Sequence, residues 1–171
     1  DSEKRLKISS EVPFEIVRLE NGLSGIKLSN GEILQIEQII GFYLKSLVEI
    51  IQKKNPKIEQ IVLTVPSNLT EIQRRSILNS AKISGVKIAE LLENSLAAAI
   101  SYTKIHNDRF PVEKEKGLNV LFFELGDSSM NASIAKISKK SIEMKSNVTD
   151  NSINGFILSE ILENYLIEKV V

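Results

Sequence analysis

The chain has 171 residues, 42% of them hydrophobic and 26% charged, which is the balance of an ordinary globular protein. Its 22 basic and 22 acidic residues cancel, and no run of either sign is long enough to form a nucleic-acid arm, which argues against DNA or RNA as a partner. The absence of cysteine excludes a disulfide framework and a cysteine-ligated zinc site, and no apolar run approaches the roughly 20 residues needed to span a bilayer, so no membrane is expected either.

The N-terminal DSEKRLK has no apolar leader core, so any export signal is expected outside this chain. From Phe14 to Ile36, short apolar segments are separated by Glu20-Asn21-Gly22 and Ser29-Asn30-Gly31. Asn-Gly supplies the positive φ of a tight hairpin, so a small antiparallel meander is predicted. Ile39, Ile40, Tyr43, Leu44, Leu47, Val48, Ile50 and Ile51 then recur at helical spacing, predicting one amphipathic helix to about Lys54, stopped by Asn55-Pro56. Ile58 to Val65 is a nearly continuous β-branched run, which predicts a strand buried on both faces and ended by Pro66. Thr70 followed by Gln73 forms a capping box, and the helix it opens runs to about Ile83 with Gly85 as its left-handed stop. A second buried strand, Val86 to Leu92, and a helix built on Leu96 to Tyr102 follow. The alternation predicts a parallel β-α-β unit with a right-handed crossover.

His106 to Gly117 is polar, contains Pro111, and reads as a boundary or exposed insertion. The pattern then restarts. Strand Leu118 to Glu124, a turn within LFFELGDSSMNASI, strand Met130 to Ile137, a Ser138-Lys139-Lys140 hairpin, strand Ser141 to Val148 and a helix from about Gly155 to Glu168 are predicted.

Few residues offer chemistry. His106 is the only histidine, so a Ser-His-Asp triad would have to be built around it, and there it reads as a plain loop residue. Neither GxxxxGK[ST] nor GxGxxG occurs. Glu90, Glu93 and Glu124 lie near strand ends, where α/β proteins gather ligands, but such carboxylates are more often solvated caps. The strand-turn-strand of residues 121–134 is one way to cradle a phosphate, yet Asp127 puts an acid where such a site uses bare backbone N–H groups.

The stretch IEQIVLTVPSNLTEIQRRSILNSAKISGVKIAELLENSLAAAISY, residues 58–102, resembles the nucleotide-binding domain of the seventy-kilodalton heat-shock chaperone family. TVP at Thr64 to Pro66, QRR at Gln73 to Arg75, the spacing to Gly85 and AAAISY at Ala97 to Tyr102 carry the likeness, which runs collinearly from about residue 12 to 169. It implies an α/β, actin-like ATPase (ribonuclease H-like) fold, here partial. Residues 1–105 would be part of lobe I, 106–117 an exposed loop, and 118–171 the start of lobe II. ATP or ADP with magnesium is the implied cofactor. A conventional heat-shock-70 chaperone and unfolded protein clients are the implied partners. Within the family the chain looks most like the divergent 170-kilodalton glucose-regulated class of the endoplasmic reticulum, whose phosphate turn is also serine-rich. The cytosolic 110-kilodalton class is the nearest competitor. The endoplasmic reticulum lumen is therefore the implied location, with the cytoplasm as the alternative.

On that likeness Glu124 stands where an aspartate organises magnesium and its water shell, and the longer side chain still suits an ion that tolerates binding through water. Gly126, Asp127 and Ser128 occupy the phosphate cradle, and Ser129 stands at its threonine. A carboxylate at Asp127 pointing into the cradle would repel a phosphate by about 1 to 4 kcal/mol at roughly 4 Å, whereas an outward one, natural for Asp in a turn, would not. Asn131 replaces a second catalytic aspartate and cannot hold the charge needed to take a proton from a lytic water. Asn94 occupies the place of a glutamate that senses nucleotide, while Glu93 falls one residue too early and points the other way. Pro66 and Arg74 match a proline and an arginine that relay nucleotide state.

With Asn94 and Asn131 at catalytic positions, hydrolysis is expected to be slow or absent. The implied function is a chaperone or nucleotide-exchange co-chaperone whose domain binds adenine nucleotide weakly or only when complete. The competing reading is an interaction module that keeps the fold and binds no nucleotide. A sugar or acetate kinase of the same superfamily gains nothing from the TVP, QRR and AAAISY matches. Asn68-Leu69-Thr70, Asn131-Ala132-Ser133 and Asn147-Val148-Thr149 are N-glycosylation sequons, of which Asn68 is the candidate because it falls in a turn.

Overall fold

The computed structural model describes residues 14–19 and 24–170. Contacts divide the chain into two compact units, residues 1–63 with 70–91 and residues 64–69 with 92–171.

The first unit opens on the expected meander. β1 (Glu15–Arg18), β2 (Ser24–Lys27) and β3 (Ile33–Gln35) pair antiparallel, with Arg18 opposite Ser24 and Ile26 opposite Leu34. The Asn21-Gly22 turn lies outside the described residues. The second Asn-Gly turn is formed as predicted: Gly31 takes φ 84° and its N–H donates to the Leu28 carbonyl at 2.9 Å. Helix α1 (Ile36–Lys54) begins three residues before the first periodic isoleucine because the Gln38 side chain accepts from the Gln35 backbone N–H at 2.9 Å.

The capping box of α2 (Glu71–Ile83) is present in both directions. Thr70 Oγ1 accepts from the Gln73 N–H at 3.3 Å, and Gln73 Oε1 accepts from the Thr70 N–H at 2.8 Å. Gly85, at φ 72°, ends the helix, and the next N–H, of Val86, returns to the Ala81 carbonyl at 2.9 Å. α1 packs on α2 at Gly41, where an added Cβ would lie 2.7 Å from the Ser80 carbonyl oxygen. Gly41→Ala is therefore expected to lower stability by about 1–3 kcal/mol by forcing the two backbones apart. A lower urea midpoint checks this, and an unchanged one would mean that the helices do not meet at Gly41.

β4 (Ile61–Val65) and β5 (Ile88–Glu93) pair as a two-stranded sheet. They are not buried on both faces as their composition predicts: Val62 is 55% exposed, and Val65 is the buried residue of β4. The β-branched run reports strand propensity, and two-sided burial requires layers that the described residues do not supply.

The second unit comprises α3 (Asn94–Ile105), a short 3-10 turn (Asn107–Arg109), β6 (Leu118–Leu125), β7 (Met130–Ile137), β8 (Ile142–Asp150) and α4 (Gly155–Val170). β6, β7 and β8 form an antiparallel sheet in that order, with a bulge beside Ile134 and Ala135. Strand alternation turns Asn131, Ser133, Ala135 and Ile137 inward. Ala135 and Ile137 close a core with Ala99 of α3 and Phe110. Tyr102 meets Phe110 and Phe122 edge-on at 6.0 and 5.8 Å between ring centres. The 106–117 segment is thus anchored, since Phe110 is 4% exposed and the Lys139 N–H donates to the Pro111 carbonyl at 2.8 Å. His106 caps α3 and lies against Tyr102. No helix among the described residues is long and apolar enough to cross a membrane.

Candidate functional site

Within the second unit, the turn between β6 and β7 walls a cavity of about 370 Å³. Glu124, Gly126, Ser128, Ser129 and Asn131 contribute from the hairpin itself. Pro66, Ser67 and Asn68 close it from the turn after β4, Asn94 from the start of α3, and Thr149 from β8. Strand pairing explains the convergence, because Glu124, Asn131 and Thr149 sit directly opposite one another across three neighbouring strands and so share one face.

The polar groups of this face are unequally satisfied. The Thr149 hydroxyl donates to Asn131 Oδ1 at 3.1 Å, which fixes the side-chain amide in place. Glu124 Oε1 is buried and has no hydrogen-bond partner. A carboxylate oxygen in that state is costly to keep, so the position favours a cation or a water carried by one. Among the described residues no group of three or more His, Cys, Asp or Glu could hold a metal, so Glu124 would have to bind it mainly through water. Asn94 opens α3 directly after its N-cap Glu93, and it brings a neutral amide to the cavity wall. Every other cavity residue is uncharged.

Helix α4 decides how the turn is held. Gly155 and Phe156 donate their backbone N–H groups to the carbonyls of Gly126 and Asp127 at 2.8 and 3.0 Å, and Asn154 Nδ2 reaches the Ser128 carbonyl at 3.4 Å. Asn154 is itself fixed by accepting from the Ile157 N–H at 2.8 Å as an N-terminal cap. Three successive carbonyls of the turn are therefore committed to the segment that opens the helix. Gly155 permits the approach, since a Cβ there would lie 3.3 Å from Asp127 Cα. Ser152 donates its hydroxyl and backbone N–H to Asp150, holding that carboxyl below its usual range and shaping the bend into α4.

Of the residues singled out in the sequence, Glu124, Gly126, Ser128, Ser129, Asn94, Asn131, Pro66 and Asn68 all reach the cavity. Asp127 does not: it is exposed and absent from the cavity wall, so the inward carboxylate is the orientation the structure does not adopt. Glu93 is the N-cap of α3 and Glu90 is exposed on β5, both away from the cavity wall. Arg74 lies on α2 in the first unit. Of the three sequon asparagines, Asn68 is exposed in its turn, Asn131 is 9% exposed in β7, and Asn147 in β8 donates to Ser95. Sequence reasoning missed Thr149, which lines the cavity, and Asn154 and Gly155, which hold its turn; the Asn154-Gly155 pair before a helix was the available signal for the last two.

The family model described as "Hsp70 protein" matches residues 2–171. "Heat shock 70 kDa protein 4" of Rattus norvegicus is 28% identical over 165 residues, covering 94% of this chain and 19% of the relative. "97 kDa heat shock protein" of Strongylocentrotus purpuratus is 30% identical over 155 residues, 87% of this chain and 17% of the relative. "Chaperone protein DnaK" of Thermus thermophilus is 27% identical over 163 residues, 94% of this chain and 25% of the relative. The chain thus spans about a fifth of the length of the first curated relatives it matches.

Proposed function

The chain belongs to the Hsp70 protein family and carries part of its actin-like ATPase fold, and on that premise we propose that it supplies the phosphate turn of a divergent nucleotide-binding domain. The observation that carries this is Glu124 Oε1, buried and unpartnered in a cavity whose remaining wall is neutral and rich in donors. These residues fit the phosphate end of a nucleotide with hydrated magnesium. The ion, when bound, would neutralise phosphate charge. Glu124 would hold its water shell, the backbone N–H of Ser128, which lines the cavity, would donate to a phosphate oxygen, and the Asn131 amide would orient a water without taking its proton. Binding is weak or requires the complete domain, and hydrolysis is slow or absent.

In finer detail, residues 1–105 belong to lobe I and 118–171 to the start of lobe II, and Pro66 and Arg74 relay nucleotide state. The whole protein acts as a chaperone or nucleotide-exchange co-chaperone on unfolded clients and a conventional heat-shock-70 partner. Exposed Asn68 suits glycosylation in the endoplasmic reticulum lumen, and without it the cytoplasm is the alternative location. A second reading, an interaction module without nucleotide, draws on the amides at Asn94 and Asn131, which leave the cavity a single carboxylate. Calorimetric titration of the complete protein with Mg-ATP separates the two. Asp127→Gly is expected to change that affinity by no more than about twofold, because an exposed carboxylate outside the cavity is screened by water. A tenfold gain would place the carboxylate in the cradle.

A further inference from the structure

Ser95 is 0% exposed and lies one residue behind the cavity wall, so it cannot touch a ligand. Its Oγ is 3.0 Å from Ser67 Oγ and accepts from Asn147 Nδ2 at 3.2 Å. A hydroxyl has one proton to give, and with Asn147 donating to Ser95, donation from Ser95 to Ser67 satisfies all three groups. Each partner leads to a different side of the cavity. Ser67 lines it between Pro66 and Asn68, Asn94 precedes Ser95 in the chain and lines it, and Asn147 stands two residues from Thr149, which holds Asn131.

We infer that Ser95 is a positioning residue that locks the turn carrying Pro66, and the N-terminus of α3, onto the sheet carrying Glu124 and Asn131. Three elements distant in sequence meet at this one hydroxyl, so the placement of two cavity walls depends on hydrogen bonds that a ligand does not touch. The proposed use rests on the reading that the cavity takes a nucleotide, while the lock itself does not.

The test uses the complete protein and the variants Ser95→Ala, Ser67→Ala, their double, and Ser67→Thr, which keeps the hydroxyl. Without ligand, hydrogen exchange at residues 67–69 and 96–97 is expected to quicken about tenfold in both alanine variants, leave the centre of β7 unchanged, and return toward wild type in Ser67→Thr. In Mg-ADP titrations the two single variants weaken binding by a similar factor and the double is no worse than either, since one bond cannot be lost twice. Unchanged local exchange, acceleration spread equally over β7, or additive losses would overturn the lock. If the wild-type protein binds no nucleotide but the exchange pattern appears, the lock stands and the nucleotide reading falls.

Discussion

Glu124→Gln in the complete protein is expected to weaken magnesium-dependent nucleotide binding by roughly 10- to 100-fold, the usual cost of losing a group that orients a metal site. The same change is expected to leave ligand-free stability unharmed or raise it by up to about 1 kcal/mol, because Glu124 Oε1 is buried without a partner and a neutral amide costs less to bury than a carboxylate. Opposite signs for affinity and stability distinguish a group kept for its ligand from one kept for the fold. Titrations with and without magnesium, beside a thermal melt of the ligand-free protein, read both. Equal affinity in the two proteins would remove Glu124 from the site.

Asn131→Asp is expected to raise single-turnover ATP hydrolysis by about 10² to 10⁴, the range a positioned general base commonly contributes. The surroundings are prepared for it. Thr149 already donates to Asn131 Oδ1 at 3.1 Å and would stabilise a carboxylate oxygen in the same place. The cost appears without magnesium: Glu124 and Asn131 are directly opposite in the ladder, and two like charges there repel, so the variant should melt lower in chelator and recover with the ion. Turnover unchanged in the variant, with magnesium-ATP bound, would mean that Asn131 does not stand where water is activated.

Local signals in the sequence translated directly into backbone. Thr70 and Gln73 cap one another, Gly31 and Gly85 take positive φ, and β7 runs from Met130 to Ile137 as its alternation predicts. These features depend on neighbours within a few residues. What was not legible depends on contacts far along the chain. The outward placement of Asp127 follows from α4, whose N-terminal N–H groups take the carbonyls of Gly126 and Asp127. Propensity alone left both orientations open. The β-branched run of β4 was read as two-sided burial, and Val62 shows that a strand former is not a core residue without layers over both faces. Residues 107–109 and 112–116 of the loop are exposed, and what its polar sequence did not show is that Phe110 fixes it to the core.

The site was legible in outline and hidden in its connections. Glu124, Gly126, Ser129 and Asn131, singled out through the hairpin pattern and the family likeness, line one cavity. Thr149 and Ser95 were not singled out, because nothing in VTD or ENS announces a partner on another strand or a turn 28 residues away. An interior hydroxyl in a helix's first turn looks like any cap until its partners are known.

Titrating the complete protein with ATP in the presence and absence of magnesium, while following phosphate release, tests the central claim most directly. Micromolar, magnesium-dependent binding with little or no release is the expected result. No binding under either condition, or release at the rate of an ordinary ATPase of this family, would contradict it.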